Sequence, residues 1–517
     1  MSRFAWLLVA VTMLSCWTPK PGPVPVDVAQ APVRLVAQPV QGPVTWITVA
    51  VRAGSAHDPV GKEGLAALTA QLLREGGAGD RTPEAVDQLL FRLGTELSVV
   101  VGKELVTYRV KVLTEDLPLV TSLLADMFTQ PKLDPDAHTR LLGELSDQLE
   151  KGILQNDEET GLEVFDNLLF AGHPYGHPVA GRAGVIDTLT IADVEAFLVT
   201  RYLRSVVVLG VAGSAVGDDG TWRPDAATAA DLASLRTALS TLPGTIYDSP
   251  TPKRVPSVEG RSLLVVEKNT DSTGIHFGHP TALHRGHPDW PAMLLAFTAM
   301  GEHRQAHGRL YQALREERGL NYGDYAYIER YTQAGWSSRQ ETGTGRLQNP
   351  FYVWIRPVAS ADGPFTLRGA TDLVESFVAD GLAEDEFALM QRYLQGRVAL
   401  WADDPARRLG WAVEAESMGW PDPISTLPDQ INALTLDDVN TAIQRHIHPE
   451  SMRYVVVTGD AEAFIQSLAD DVSSPLASPN HSVPETGSPR AAEDAHWASF
   501  RLGWTETSIV AAEGVFR

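Results

Sequence analysis

The sequence predicts an α+β protein of two related halves, each a mostly antiparallel sheet covered by helices. Three observations carry that prediction: the order of strand and helix signals, the return of that order late in the chain, and a composition able to bury a sizeable core. The chain has 517 residues, 44% of them hydrophobic, which suits roughly two to four domains. Its 42 Lys and Arg face 65 Asp and Glu, a net charge of −23 that repels phosphate backbones. Nucleic acid is therefore not an expected partner. The single cysteine permits neither an internal disulfide nor a Cys-based zinc site.

The alternation from Val44 to Val51 predicts a strand, which Gly54 and Pro59 break. The apolar face from Gly64 to Leu73 predicts a helix ended by Gly76-Gly77. Thr82-Pro83-Glu84 supplies a cap, a proline and an acid for the next helix, to about Leu93. Strands follow at Glu96–Val101 and Leu105–Leu113, then helices at Leu117–Phe128 and Pro135–Leu154. The order is β, α, α, β, β, α, α.

Part of that pattern recurs. Thr190-Ile191-Ala192-Asp193-Val194 leads through a helix to Val206-Val207-Val208 and Gly210, and Thr435-Leu436-Asp437-Asp438-Val439 leads likewise to Val455-Val456-Val457 and Gly459. Cap, helix, strand and glycine in register indicate a duplication.

At the N-terminus, Arg3 precedes an apolar run from Phe4 to Leu14, then Ser15 and Cys16. The run is too short to span a bilayer and has the build of an export signal; the small residue before Cys16 resembles a bacterial lipoprotein signal, in which that cysteine is lipidated. A proline-rich stretch follows and reads as an extended tether. The chain then divides into a signal at 1–16, a tether at 17–43, a first half at 44–212, a connecting segment at 213–260, a second half at 261–468, and a Ser/Pro-rich tail with a short apolar end at 469–517. Asp471 to Ala495 is expected to be disordered, and the apolar end to form one more packed element or a docking segment.

Four segments carry a family resemblance: Gly54-Ser55-Ala56-His57-Asp58-Pro59 running to Ala66, His173-Pro174-Tyr175-Gly176-His177-Pro178, Asp289-Trp290, and Leu314-Arg315-Glu316-Glu317-Arg318-Gly319-Leu320-Asn321-Tyr322. Together they resemble insulinase-type (pitrilysin) metallopeptidases over about Val44 to Ala463. The resemblance implies a clamshell of two halves around an unfolded peptide. Active members carry HxxEH, whose two histidines bind one zinc ion while the Glu takes a proton from its water. Here the matching residues are Ala67-Leu68-Thr69-Ala70-Gln71, so both histidines and the base are absent. The resemblance places the third ligand, a Glu in active members, near Glu150 or Lys151. It also implies that Arg315, in the last turn of a helix, and Tyr322, opening the next strand, reach the substrate backbone.

Other constellations are weaker. Ser55, His57 and Asp58 have the residue types of a hydrolase triad but crowd into one turn. His303 and His307 have a helical metal-ligand spacing, although Glu302 to Gly308 reads as a solvated polar loop. His276, His279, His284 and His287 gather near Pro280 and Pro288 with no fixed metal spacing.

The expected function is that of a non-catalytic homologue, inactive alone, that binds extended peptide and pairs with an HxxEH-bearing subunit. No cofactor is expected in this chain, zinc being confined to the partner. Two alternatives stay open: a peptide-binding or scaffold lipoprotein without an enzyme partner, and a metallopeptidase with a non-standard metal site. The expected location is the periplasm, with the chain held to the outer membrane by lipid on Cys16.

Overall fold

The computed structural model describes residues 32–223, 228–244, 258–332, 340–479 and 481–516. Cys16, the export signal and the tether up to residue 31 lie outside the described residues. The first half runs β1 (Arg34–Pro39), β2 (Val44–Val51), α1 (Leu65–Glu75), α2 (Pro83–Arg92), β3 (Leu97–Val101), β4 (Val106–Leu113), α3 (Leu117–Thr129), α4 (Pro135–Asp147), α5 (Asp157–Leu169), α6 (Ile191–Arg201) and β5 (Val207–Gly213). Helix α7 (Ala229–Leu239) packs on α3. The second half runs β6 (Arg261–Glu267), β7 (Ser272–Thr281), α8 (Trp290–Gly301), β8 (Asp324–Tyr327), β9 (Asn349–Ala359), α9 (Gly363–Asp380), α10 (Glu384–Asp403), α11 (Pro405–Met418), α12 (Pro423–Ala433), α13 (Leu436–His446) and β10 (Arg453–Thr458). After it come α14 (Ala461–Ser467), α15 (Pro489–Ala498) and β11 (Trp504–Ala511).

The sheets have the orders β1-β5-β2-β4-β3 and β11-β6-β10-β7-β9-β8. With β11 set aside, they match strand for strand. In each, the first strand pairs parallel with the last, and the other pairings are antiparallel. The repeated helix starts are equivalent too. Thr190 with Asp193 and Thr435 with Asp438 both form capping boxes, each satisfying two backbone donors reciprocally.

The halves exchange helices. Helix α5 of the first half packs on β7 and β10 of the second sheet, and α11 of the second half packs on β5 and β2 of the first. Both contacts depend on a missing Cβ: one on Gly161 would lie 2.6 Å from Nδ1 of His276, and one on Gly210 would lie 2.3 Å from Cγ2 of Val413. The acidic residues of α5 then pair across the boundary. Asp157 meets Lys268, Glu158 meets Arg356, Glu163 meets Arg330 and Asp166 meets Arg346, at 2.6 to 3.0 Å.

Several expectations need correction. Residues 34–39 of the supposed tether form β1, because extended backbone beside β5 finds a full ladder of partners there. The helix read as Pro135–Leu154 ends as α at Asp147 and continues as a π-helix over Gln148–Leu154. Helix α5 was not recognised. The tail is folded from Pro489 onward: Trp497 is buried against Phe365 with the guanidinium carbon of Arg318 3.8 Å above its ring, and β11 adds a parallel strand to β6. Its apolar end is a packed element.

Candidate functional site

The segment before α1 seats that helix. Gly64 has φ +103°, a conformation that favours glycine, and the Asp58 carboxylate accepts the N–H groups of Gly64 at 2.8 Å and Ala66 at 2.7 Å. Burial pushes the Asp58 carboxyl up to about 7. His57 instead points its Nδ1 to the carbonyl of Gly54 at 3.2 Å, and the Ser55 hydroxyl has no partner among the described residues. Ser55, His57 and Asp58 thus form no relay.

On α1, Ala67 and Gln71 stand one turn apart and line a cavity of about 460 Å³ with Glu75, Glu144 and Gln148. Ala70 is buried in the core. Of α4 and its π-helix, Leu141, Glu144, Leu145 and Gln148 line the cavity and Glu150 and Lys151 do not; Lys151 pairs with Asp147 on the surface at 2.7 Å. The donors here do not fit zinc. A methyl and two amides replace the ligands, no imidazole reaches the cavity, and Glu75 and Glu144 are both held by Arg140 at 2.6 Å.

From this cavity a groove runs between the halves. Val100, Val101, Gln148 and Val179 form a wall shared with a second cavity of about 280 Å³, which reaches Lys103, Arg330 and Trp354. Glu159 and Trp354 are shared with a third of about 350 Å³, and Glu158, Arg304 and Arg356 are shared between that and a cleft of about 1060 Å³. Strand β3 is the edge of its sheet and contributes Val99, Val100 and Val101 to the α1 end. Burial lowers Lys103 to about 8 and raises Glu159 above the usual carboxylate range.

Arg315 and Tyr322 both line the large cleft. Arg315 lies in a π-helix over Tyr311–Glu316, a widened turn frequent at functional sites. Its guanidinium carbon is 4.6 Å from the ring centroid of Tyr311 and 5.5 Å from that of Tyr322. Tyr322 precedes β8 by two residues instead of opening it, and at 77% exposure its ring projects into solvent. Gly319, φ +72°, ends the preceding turn as expected. Below them Asp324 is buried, and burial pushes its carboxyl up to about 8 against the hydrogen bond from Asn321.

The histidines are occupied locally. His303 is buried, not solvated, and its Nδ1 meets the Tyr327 hydroxyl at 2.7 Å, while Nε2 of His307 meets the Thr298 carbonyl at 3.1 Å. They share no ligand site. His276 and His279 are buried in β7. His284 stacks on Trp420. His287 comes together with Asp289 and His446, ligand atoms within 4.8 Å of one another, but the Asp289 carboxylate is already held by His446 and Arg445 at 2.7 Å. That group ties the end of α13 to the start of α8.

Comparison with known proteins agrees with this fold. Residues 35–179 match the family described as insulinase (peptidase family M16), and residues 226–342 match the peptidase M16 inactive domain; together the two cover half of the chain. An uncharacterized zinc protease of Mycobacterium tuberculosis is 27% identical over 371 residues, 71% of this chain and 78% of its own. A non-peptidase homolog of Helicobacter pylori is 23% identical over 80% of this chain and 89% of its own. Among solved structures, a peptidase M16 inactive domain from Pseudomonas fluorescens has a TM-score of 0.70 at 21% identity, covering 82% of this chain and 94% of that one. The chain belongs to the insulinase-type peptidase family, as a member without the HxxEH motif and inactive by itself.

Proposed function

We propose that the chain binds unfolded peptide in the groove between its halves and acts as the non-catalytic partner of a zinc-bearing HxxEH homologue in proteolysis. The asymmetry of the groove carries this reading. Its α1 end has neither the histidines nor the base of HxxEH, while Arg315 and Tyr322 at the far end stay open to the cleft. Edge strand β3 supports the peptide part, since an extended chain laid beside it gains a ladder of backbone hydrogen bonds without regard to sequence. The partner would supply the metal and the activated water. This chain would supply an arginine and a tyrosine as hydrogen-bond donors to the strained carbonyl.

The same proposal exports the chain through residues 1–16 and anchors it by lipid on Cys16 in the outer membrane. No helix among the described residues is long and apolar enough to cross a membrane. The test is reconstitution: the chain mixed with an HxxEH homologue should cleave an unfolded peptide well above the rate of the homologue alone. An unchanged rate, with the chain still retaining peptide, would leave a binding protein without an enzyme partner.

A further inference from the structure

The large cleft carries more cations than acids, against the sign of the whole chain. The chain carries −23 overall, yet this cleft is lined by Arg304, Arg315 and Arg356 against Asp157 and Glu158. Both acids are already engaged, Asp157 with Lys268 at 2.6 Å and Glu158 with Arg356 at 2.7 Å. The amides of Glu158 and Glu159 at the start of α5 are held by the Asn156 side chain. Arg304 sits at φ +56°, a left-handed conformation that a non-glycine residue holds only where its surroundings enforce it.

Arg315 is the key residue. Its guanidinium makes no hydrogen bond among the described residues, and its one carboxylate within 4.0 Å is the exposed Glu316, at 3.9 Å. Burial raises the carboxyl of Asp324 beneath it to about 8, against the pull of the Arg315 charge. The rings of Tyr311 and Tyr322 hold the guanidinium plane by cation–π contact and leave its N–H fork to face the cleft. The other guanidinium groups behave differently: Arg330 and Arg346 along the groove, and Arg356 in the cleft itself, each close on a carboxylate.

We infer that the end of the groove where Arg315 opens is a carboxylate pocket, which selects peptides presenting a C-terminal carboxylate or an acidic side chain there. The inference rests on the peptide-binding reading and adds to it a specificity. A planar, bidentate fork recognises a carboxylate in both charge and geometry, and Tyr322 is placed to donate its hydroxyl to the same group. Arg315 then chooses which peptide enters as well as touching its backbone.

The experiment uses the full chain and four fluorescein-labelled peptides of Ala, Ser and Leu, alike except for a free or amidated C-terminus and a central Glu or Gln. Anisotropy titration should show roughly tenfold to a hundredfold tighter binding for at least one carboxylate-bearing peptide than for the amidated Gln peptide, the scale of one or two charge-assisted hydrogen bonds. The free acid with Gln and the amide with Glu separate the two sources. Arg315→Gln should erase the preference, so that all four peptides bind alike whatever their common affinity, and Arg315→Lys should restore only part of it. Equal binding of all four by the wild-type chain overturns the pocket and leaves the peptide groove standing, as does a preference that survives Arg315→Gln. Binding of none, with or without an HxxEH homologue present, overturns the peptide-binding reading and the pocket with it.

Discussion

Asp166 of α5 is clasped by Arg346, in the loop before β9, through three contacts of 3.0 Å with both side chains buried. The pair bridges the two halves. Burial alone would raise the Asp166 carboxyl, but the guanidinium groups of Arg346 and Arg330 hold it below its ordinary range. Asp166→Ala strands a buried cation and should lower stability by about 3–5 kcal/mol in urea denaturation. Replacing both partners, Asp166→Leu with Arg346→Met, should cost far less. The pair's contribution is present at neutral pH and is lost as pH falls below the ordinary carboxylate range.

The purified chain should hold no stoichiometric zinc, since Ala67, Gln71 and Gln148 occupy the ligand positions. Ala67→His, Gln71→His and Gln148→Glu together should create a site that retains about one zinc per chain, the number a three-ligand centre holds. Elemental analysis after dialysis reads both results. Zinc in the wild-type chain that disappears on replacing His303 and His307 would mean that these two leave Tyr327 and Thr298 for a metal.

In the reconstituted pair, Arg315→Ala and Tyr322→Phe should each depress peptide cleavage on the order of a hundredfold, the usual cost of one oxyanion donor. Co-elution of the two subunits should not change, because both residues face the cleft. Cleavage rates equal to wild type would make the two side chains structural.

Cys16→Ala should move the protein from the membrane to the soluble periplasmic fraction on cell fractionation, since acyl chains supply most of the attraction of a lipid-anchored protein for a bilayer. An unchanged membrane fraction would point to attachment through another protein.

Thermal stability should peak near pH 6.5. Burial lowers His57, His279 and His303 to about 4 and His177 and His276 to about 3. Between those values and about 6.5 only the unfolded chain binds their protons, so stability rises with pH. Burial raises Asp58 and Glu302 to about 7 and Asp324 to about 8. These three keep protons in the folded state that the unfolded chain has lost, so their contribution falls as pH rises to about 8. Five histidines outweigh three carboxyls on the acid side, and the carboxyls dominate from there up to about 8, the value to which burial lowers Lys103. His276→Leu should flatten the acid limb, since neither ring nitrogen has a partner among the described residues.

What was legible in the sequence was local. The capping boxes at Thr190 and Thr435 lie within four residues, and the loss of HxxEH at Ala67, Ala70 and Gln71 is a matter of residue type alone. The facing position Gln148 was missed because a π-helix changes the register of side chains after Asp147. Helix α5 did leave a signal, an Asn156 cap followed by Asp157, Glu158 and Glu159. Strand β1 and the helix that opens at Pro489 in the tail were missed for a different reason. Their composition argues for extended or disordered chain, and only distant partners, β5 for one and Arg318 for the other, give them a place. The groove was legible only through the family resemblance, since its walls come from both halves.

Strand β6 is synthesised at the start of the second half, yet both of its neighbours, β10 and β11, come from the end of the chain. A nascent or truncated chain that stops short of residue 453 leaves the apolar run Leu263-Leu264-Val265-Val266 with no strand on either side. Such an unpaired strand is a template for aggregation. The second half therefore cannot mature from its N-terminus forward as the ribosome delivers it, and interrupted translation should yield chains that proteases remove while a finished first half persists.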